Sequence, residues 1–180
     1  MTVLPALVGV DMAEVPRVAR AVADLGGTYL RHLLTPAERR AAGVDAVAVT
    51  ASVAMKESLI KAVGGRPVGF RWHDFDGPLG QPDEAASPVT DLLEEAADPV
   101  MDLLDEAAAR LRAAADLPLD HQVVHRVRGA SRAAALARLT TQGAATTPAT
   151  TPVVGVARWG RHGDTVVALA ILIVDNGGVR

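Results

Sequence analysis

Ala54-Met55-Lys56-Glu57-Ser58-Leu59-Ile60-Lys61-Ala62-Val63-Gly64-Gly65 is the stretch on which the fold turns. Residues 47–63 are good helix formers with few breakers, and Val49, Val53, Leu59, Ile60 and Val63 supply apolar positions. The glycine pair ends the helix. Glu57 and Lys61, four residues apart, share one face of it, and Lys56 and Lys61 bracket the carboxylate. Alone, such a Glu/Lys pair is an ordinary surface bridge, so the neighbouring segments decide what it means.

Toward the N-terminus, residues 3–10 form an apolar run that reads as a strand, with Asp11 where it leaves the core. Pro16 suits the first turn of a helix that carries Val15, Val18, Val22 and Leu25 at helical spacing, projects Arg17 and Arg20, and should stop at Gly26-Gly27. Thr35-Pro36-Ala37-Glu38 is a capping box that opens a short helix.

Toward the C-terminus, residues 68–75 alternate loosely through Phe70, Trp72 and Phe75 into a turn-rich stretch, predicting a strand that pairs with residues 122–127. Between them lie residues 83–120, with eleven of the chain's 21 acidic residues against two arginines. Within this segment SPVTDLLEEAA (87–97) is followed by the near-repeat DPVMDLLDEAA (98–108). Two short helices, or one kinked at Pro99, would bury Leu92, Leu93, Leu103, Leu104 and Leu111. Such a charge run is ordinarily a solvated decoration. The expectation is an acidic helical insertion at a hairpin tip, outside the core and replaceable by a short turn. A helix over 130–139, a mobile loop over 140–152 and a hairpin of 153–158 with 165–174 complete the chain.

The composition bounds function. At 180 residues, 49% hydrophobic and net charge -3, the chain suits one soluble domain over 1–180. It has no cysteine, which rules out thiolate chemistry and suits a reducing cytoplasm. No secretory leader is recognisable, and the run 166–174 is too short to span a membrane. Outside the acidic segment the chain is net basic, which suits nucleic acid, an anionic cofactor or an acidic protein partner. Aromatic residues are only 3%, which argues against base stacking. No GxSxG, HExxH or Walker A motif is present.

The motifs together are more specific. GVDMAEV (9–15) resembles the G-(I/V)-D-I-x-E-(I/V) opening of the 4'-phosphopantetheinyl transferase superfamily, and AMKESLIKAVG (54–64) resembles its K-E-x-x-x-K-A-x-G signature. RHLLTPAE (31–38), GPLGQP (77–82), RVRGASRAAALARL (126–139) and VARWGRHGDTVVALAILI (156–173) are similar to further segments of the small holo-acyl-carrier-protein synthases, in family order. The resemblance implies an α+β, 4'-phosphopantetheinyl transferase-like fold, a small antiparallel sheet packed on a long helix. It implies Mg²⁺-dependent transfer of 4'-phosphopantetheine from coenzyme A to a serine of an acyl or peptidyl carrier protein. Asp11 and Glu57 match the metal ligands, which suits a hard cation that takes carboxylates, phosphate oxygens and water.

Further roles follow from the same resemblance. Glu57 and Lys61 match catalytic positions, the glutamate helping to remove the serine proton and the lysine neutralising or protonating the leaving phosphate. Lys56, Lys61, Gly64 and Gly65 match the coenzyme A site, and Arg17 a residue that docks the acidic carrier protein. A homotrimer is also implied, and the composition and the short apolar run lead us to expect neither nucleic-acid nor membrane partners. The chain departs from the pattern at Ser52-Val53, where the family has arginine and an aromatic residue. It departs again at Gly160-Arg161, where the family has a histidine, His162 falling one or two positions late. An active transferase is the first expectation. The alternative is a catalytically weakened relative that binds coenzyme A or a carrier protein as an interaction module.

Overall fold

The computed structural model describes residues 5–77, 98–142 and 150–174. Strand β1 (Leu7–Glu14) leads into helix α1 (Val15–Leu33), followed by α2 (Pro36–Ala42) and the long α3 (Ala46–Val63). A 3₁₀ turn (Trp72–Asp74) feeds the two-residue strand β2 (Phe75–Asp76). Helix α4 (Asp98–Ala115), strand β3 (His121–Val127), helix α5 (Gly129–Thr141) and strands β4 (Val153–His162) and β5 (Thr165–Val174) complete it. The strands form one sheet in the order β1-β5-β4-β3-β2, every pair antiparallel. This is the expected α+β arrangement.

Alternation along the strands gives the sheet two buried faces. On one, Ala168, Ala170 and Leu172 of β5 and Val153 and Ala157 of β4 pack against Met55, Leu59 and Val63 of α3. On the other, Val154, Val156, Val167, Leu169, Ile171 and Ile173 pack with Leu104 and Ala108 of α4 and with Leu119. Helix α1 lies beside α3, with Val18, Leu33 and Leu34 against Val49. Strand β1 meets α3 at Gly9, where an added Cβ would lie 2.0 Å from the Ser58 carbonyl oxygen. Only a residue without a side chain permits that approach.

Several sequence expectations hold. Thr35 and Glu38 form the reciprocal capping box, and Gly64 ends α3 in the left-handed conformation at φ 97°. Others need correction. The helical backbone of α1 is interrupted at Gly26 (φ 54°, ψ -139°), as the glycine pair predicts, but a second helical stretch follows at once to Leu33, with Tyr29, Leu30 and Leu33 packed in the cluster around Val49. The strand expected over 68–75 is confined to Phe75–Asp76, paired with Val127 and Arg126. Before it, Phe70 closes a turn onto Pro67 and Gly69 sits at φ 83°, a backbone that no strand adopts.

Strand β4 extends through His162, so the last turn shrinks to Gly163-Asp164. In the acidic segment, the first repeat copy and its Leu92 and Leu93 lie outside the described residues, as does 143–149 of the loop expected to be mobile. The second copy is not a solvated decoration. Helix α4 lies on the sheet face opposite α3, with Leu104 fully buried, Leu111 partly buried, Leu103 exposed and Asp105 paired with Arg158 of β4.

Candidate functional site

The close crossing at Gly9 sets the site. Two residues further along β1, and on the same face, the Asp11 carboxylate accepts an ion pair from Lys61 of α3 at 2.7 Å. One helical turn before Lys61, Glu57 projects from the same side of α3 and is paired at 2.8 Å with Arg66, which follows the Gly64-Gly65 turn. Asp11 is largely shielded, Glu57 partly exposed, and both cations are more than half exposed. The structure therefore pairs Asp11 with Lys61 and sets Glu57, one helical turn from Lys61, against Arg66, a residue that the sequence alone does not single out.

The predicted turn glycines stand where the helix ends. Gly64 (φ 97°) and Gly65 (φ 117°) return the chain toward Glu57, and their amides bond to Ile60 and Lys61 carbonyls. Arg138 of α5 donates to the Ala62 carbonyl and lies against Gly64, holding the end of α3. Arg17 is exposed on α1, and the Tyr29 phenol lies within electrostatic reach of both Arg17 and Glu57. Burial raises the Tyr29 pKa, Arg17 lowers it and Glu57 raises it again.

Lys56 does not join this group, which corrects the expectation that it contacts coenzyme A. It is 1% exposed and donates to Glu38 Oε2 at 2.7 Å, to the Leu33 carbonyl at 2.9 Å and to the Trp72 carbonyl at 3.1 Å. Those contacts use all three protons of the ammonium. Burial pushes the lysine's pKa down and Glu38 pulls it back up. Glu38 in turn accepts from the amides of Thr35 and Gly77. Adjacent residues on one helix thus divide the work, Lys56 tying α1, α2 and the 3₁₀ turn together while Glu57 faces the site.

The last turn settles the positions of Arg161 and His162. By strand alternation Arg161 shares the face of Ala157 and Trp159, the α3 side, whereas His162 shares the opposite face with Arg158. Arg161 bonds to the Gly163 carbonyl and to Asp164. His162 is exposed in a regular pair with Thr165.

A metal at this site would meet only oxygen donors, which fits Mg²⁺ chemistry. Among the described residues there is no group of three or more acidic, His or Cys side chains able to hold a metal. Two carboxylates would leave the remaining positions to water and to oxygens of a bound phosphate.

The fold is that of the holo-[acyl-carrier-protein] synthases. It aligns with the Helicobacter pylori enzyme in complex with coenzyme A at TM-score 0.53, covering 93% of this chain and 99% of that one at 12% identity. It aligns with the holo-ACP-synthase from Plasmodium yoelii at TM-score 0.51, covering 95% of each at 10% identity. In sequence the chain is similar to curated holo-[acyl-carrier-protein] synthases, which bears out the resemblance read from the motifs. It is 41% identical over 81 residues to the protein from Koribacter versatilis (strain Ellin345), covering 41% of this chain and 65% of the relative. To that from Desulforudis audaxviator (strain MP104C) it is 40% identical over 81 residues, covering 42% and 62%. The chain thus spans between about half and a little under two thirds of the length of the curated relatives it matches. No protein-family profile matches it.

Proposed function

We propose that the protein transfers 4'-phosphopantetheine from coenzyme A to a serine of an acyl or peptidyl carrier protein in a Mg²⁺-dependent reaction. The observation that carries this reading is the Asp11–Lys61 ion pair at the β1–α3 crossing, with Glu57 one helical turn from Lys61, within a holo-[acyl-carrier-protein] synthase fold. Asp11 and Glu57 are the residues that would hold Mg²⁺, which when bound supplies positive charge to a pyrophosphate under attack. Lys61, already more than half exposed, can leave Asp11 and place its ammonium on the phosphate that departs. Glu57, directly or through water, takes the proton of the attacking serine. The serine oxygen bonds to the phosphorus of the pantetheine arm, the pyrophosphate P–O bond breaks, and adenosine 3',5'-bisphosphate leaves.

Gly64 and Gly65 expose backbone beside Lys61 and suit close approach of coenzyme A. Arg17, exposed on α1, suits an acidic carrier protein. A cytoplasmic homotrimer remains part of the proposal from family resemblance. Among the described residues no helix is long and apolar enough to cross a membrane.

Incubation with coenzyme A, Mg²⁺ and a panel of apo carrier proteins, followed by intact-mass spectrometry, tests the reading. The expected result is addition of one phosphopantetheine. Lys61→Ala should abolish most of the rate, whereas His162→Ala, whose side chain stands on the opposite sheet face, should change it less than about tenfold. Equal losses in the two variants would place the histidine in the site. Retained coenzyme A binding with no transfer to any carrier would favour the interaction-module alternative.

A further inference from the structure

The cation on Glu57 belongs to the chain itself. After the Gly64-Gly65 turn, Arg66 folds back so that its guanidinium meets the Glu57 carboxylate at 2.8 Å. The same guanidinium lies 4.9 Å from the centre of the Trp72 ring and 5.6 Å from that of Phe70. Phe70 and Trp72 meet edge to face and wall an open pocket of about 390 Å³ that Arg31, His32, Arg71 and His73 also line. Arg66 therefore touches a carboxylate and an aromatic surface at the same time, and, being half exposed, it can give up the first while keeping the second.

We propose that Arg66 is a built-in competitor for the cation at Glu57, releasing the carboxylate and keeping only its contact with the Phe70–Trp72 wall when a divalent ion binds. This inference rests on the reading of Glu57 as a metal ligand. A guanidinium within hydrogen-bond distance of a carboxylate oxygen occupies a coordinating lone pair, and its charge repels a second cation. The aromatic faces give the released guanidinium a place to stay, so the exchange requires no unfolding of the loop. Arg66 thereby weakens cation binding and keeps the isolated carboxylate neutralised.

Mn²⁺ alone is the probe, its free concentration read by electron paramagnetic resonance over the intact protein. Arg66→Gln is expected to bind Mn²⁺ about two- to fivefold more tightly than the unaltered protein, the range set by loss of one exposed ion pair. Arg66→Lys should fall between them. Arg71→Gln removes the same charge from the same pocket without touching the Glu57 pair and should leave affinity unchanged. Glu57→Gln should lose at least about tenfold, as expected of a removed ligand. Unchanged or weaker binding in Arg66→Gln, with Glu57→Gln defective, overturns the competition alone. An equal gain in Arg71→Gln also overturns it, by assigning the effect to the general field. Undiminished binding in Glu57→Gln overturns the underlying metal reading.

Discussion

The two faces of the sheet are built on different principles. Among the described residues, the face under α4 is closed mainly by aliphatic side chains, Leu104 and Ala108 against valines, leucines and isoleucines of β4 and β5, with the Asp105–Arg158 pair near its edge. The face under α3 buries polar groups as well, with the Glu38–Lys56 ion pair and the neutral His125 inside it and Asp11, Glu57 and Lys61 at its margin. Apolar contact is tolerant of exact geometry, whereas hydrogen-bonded charge fixes position. The contrast shows where the molecule needs closure and where it needs a defined arrangement: Lys56 and Glu38 hold the elements from which the site residues project.

The largest way to break this contrast is to remove the aliphatic face. Replacing 83–120 by a short turn exposes Val154, Val156, Val167, Leu169, Ile171 and Ile173, each worth about 1.5–3 kcal/mol when fully buried. The expected product is misfolded or aggregated by size-exclusion chromatography and circular dichroism. A soluble, cooperatively folding product would restore the view of the segment as dispensable.

Next in size is the buried pair. Lys56→Met leaves Glu38 charged and buried, at an expected cost of about 3–5 kcal/mol in urea unfolding. A loss below about 1 kcal/mol would mean that the pair does not organise this face.

The smallest expected effect is a pH slope. His125 is fully buried, its ring against Gly77. Burial, and next the charge of Lys56, lower its pKa to about 3. The unfolded chain takes up this proton below about 6.5 while the folded one refuses it, so stability falls as pH drops from about 6.5 toward 3. The slope from this residue is on the order of 1 kcal/mol per pH unit, and His125→Leu should flatten it by that amount in urea titrations. An unaltered slope would assign acid sensitivity to other groups.

The same contrast explains what the sequence made legible. Glu57 and Lys61 stand at local signals, a helical spacing and a glycine stop, whereas Asp11, expected where a strand over 3–10 ends, lies inside β1, which starts later and runs on to Glu14. The capping role of Glu38 was readable for the same reason, but its bonds to Lys56 and Gly77 join residues distant in sequence. That made Lys56 look like a site residue. Arg66 was hidden because Gly-Gly-Arg-Pro reads as a loop, and the alternation of Phe70 and Trp72 imitated a strand. The aromatic pair just after an arginine was the one available signal. The glycine pair did break helix α1 at Gly26, but the packing of Tyr29, Leu30 and Leu33 that makes the following residues helical again is tertiary. In α4, which leucine faces the sheet depended on packing that a repeat pattern alone does not specify.

The central claim is that Asp11 and Glu57 share one cation on which coenzyme A binding depends. Isothermal titration of coenzyme A into the protein with and without Mg²⁺, repeated for folded Asp11→Ala and Glu57→Ala, tests it most directly. The account predicts that the Mg²⁺-dependent part of the affinity disappears in both variants. Mg²⁺-dependent affinity that persists unchanged in both would contradict it.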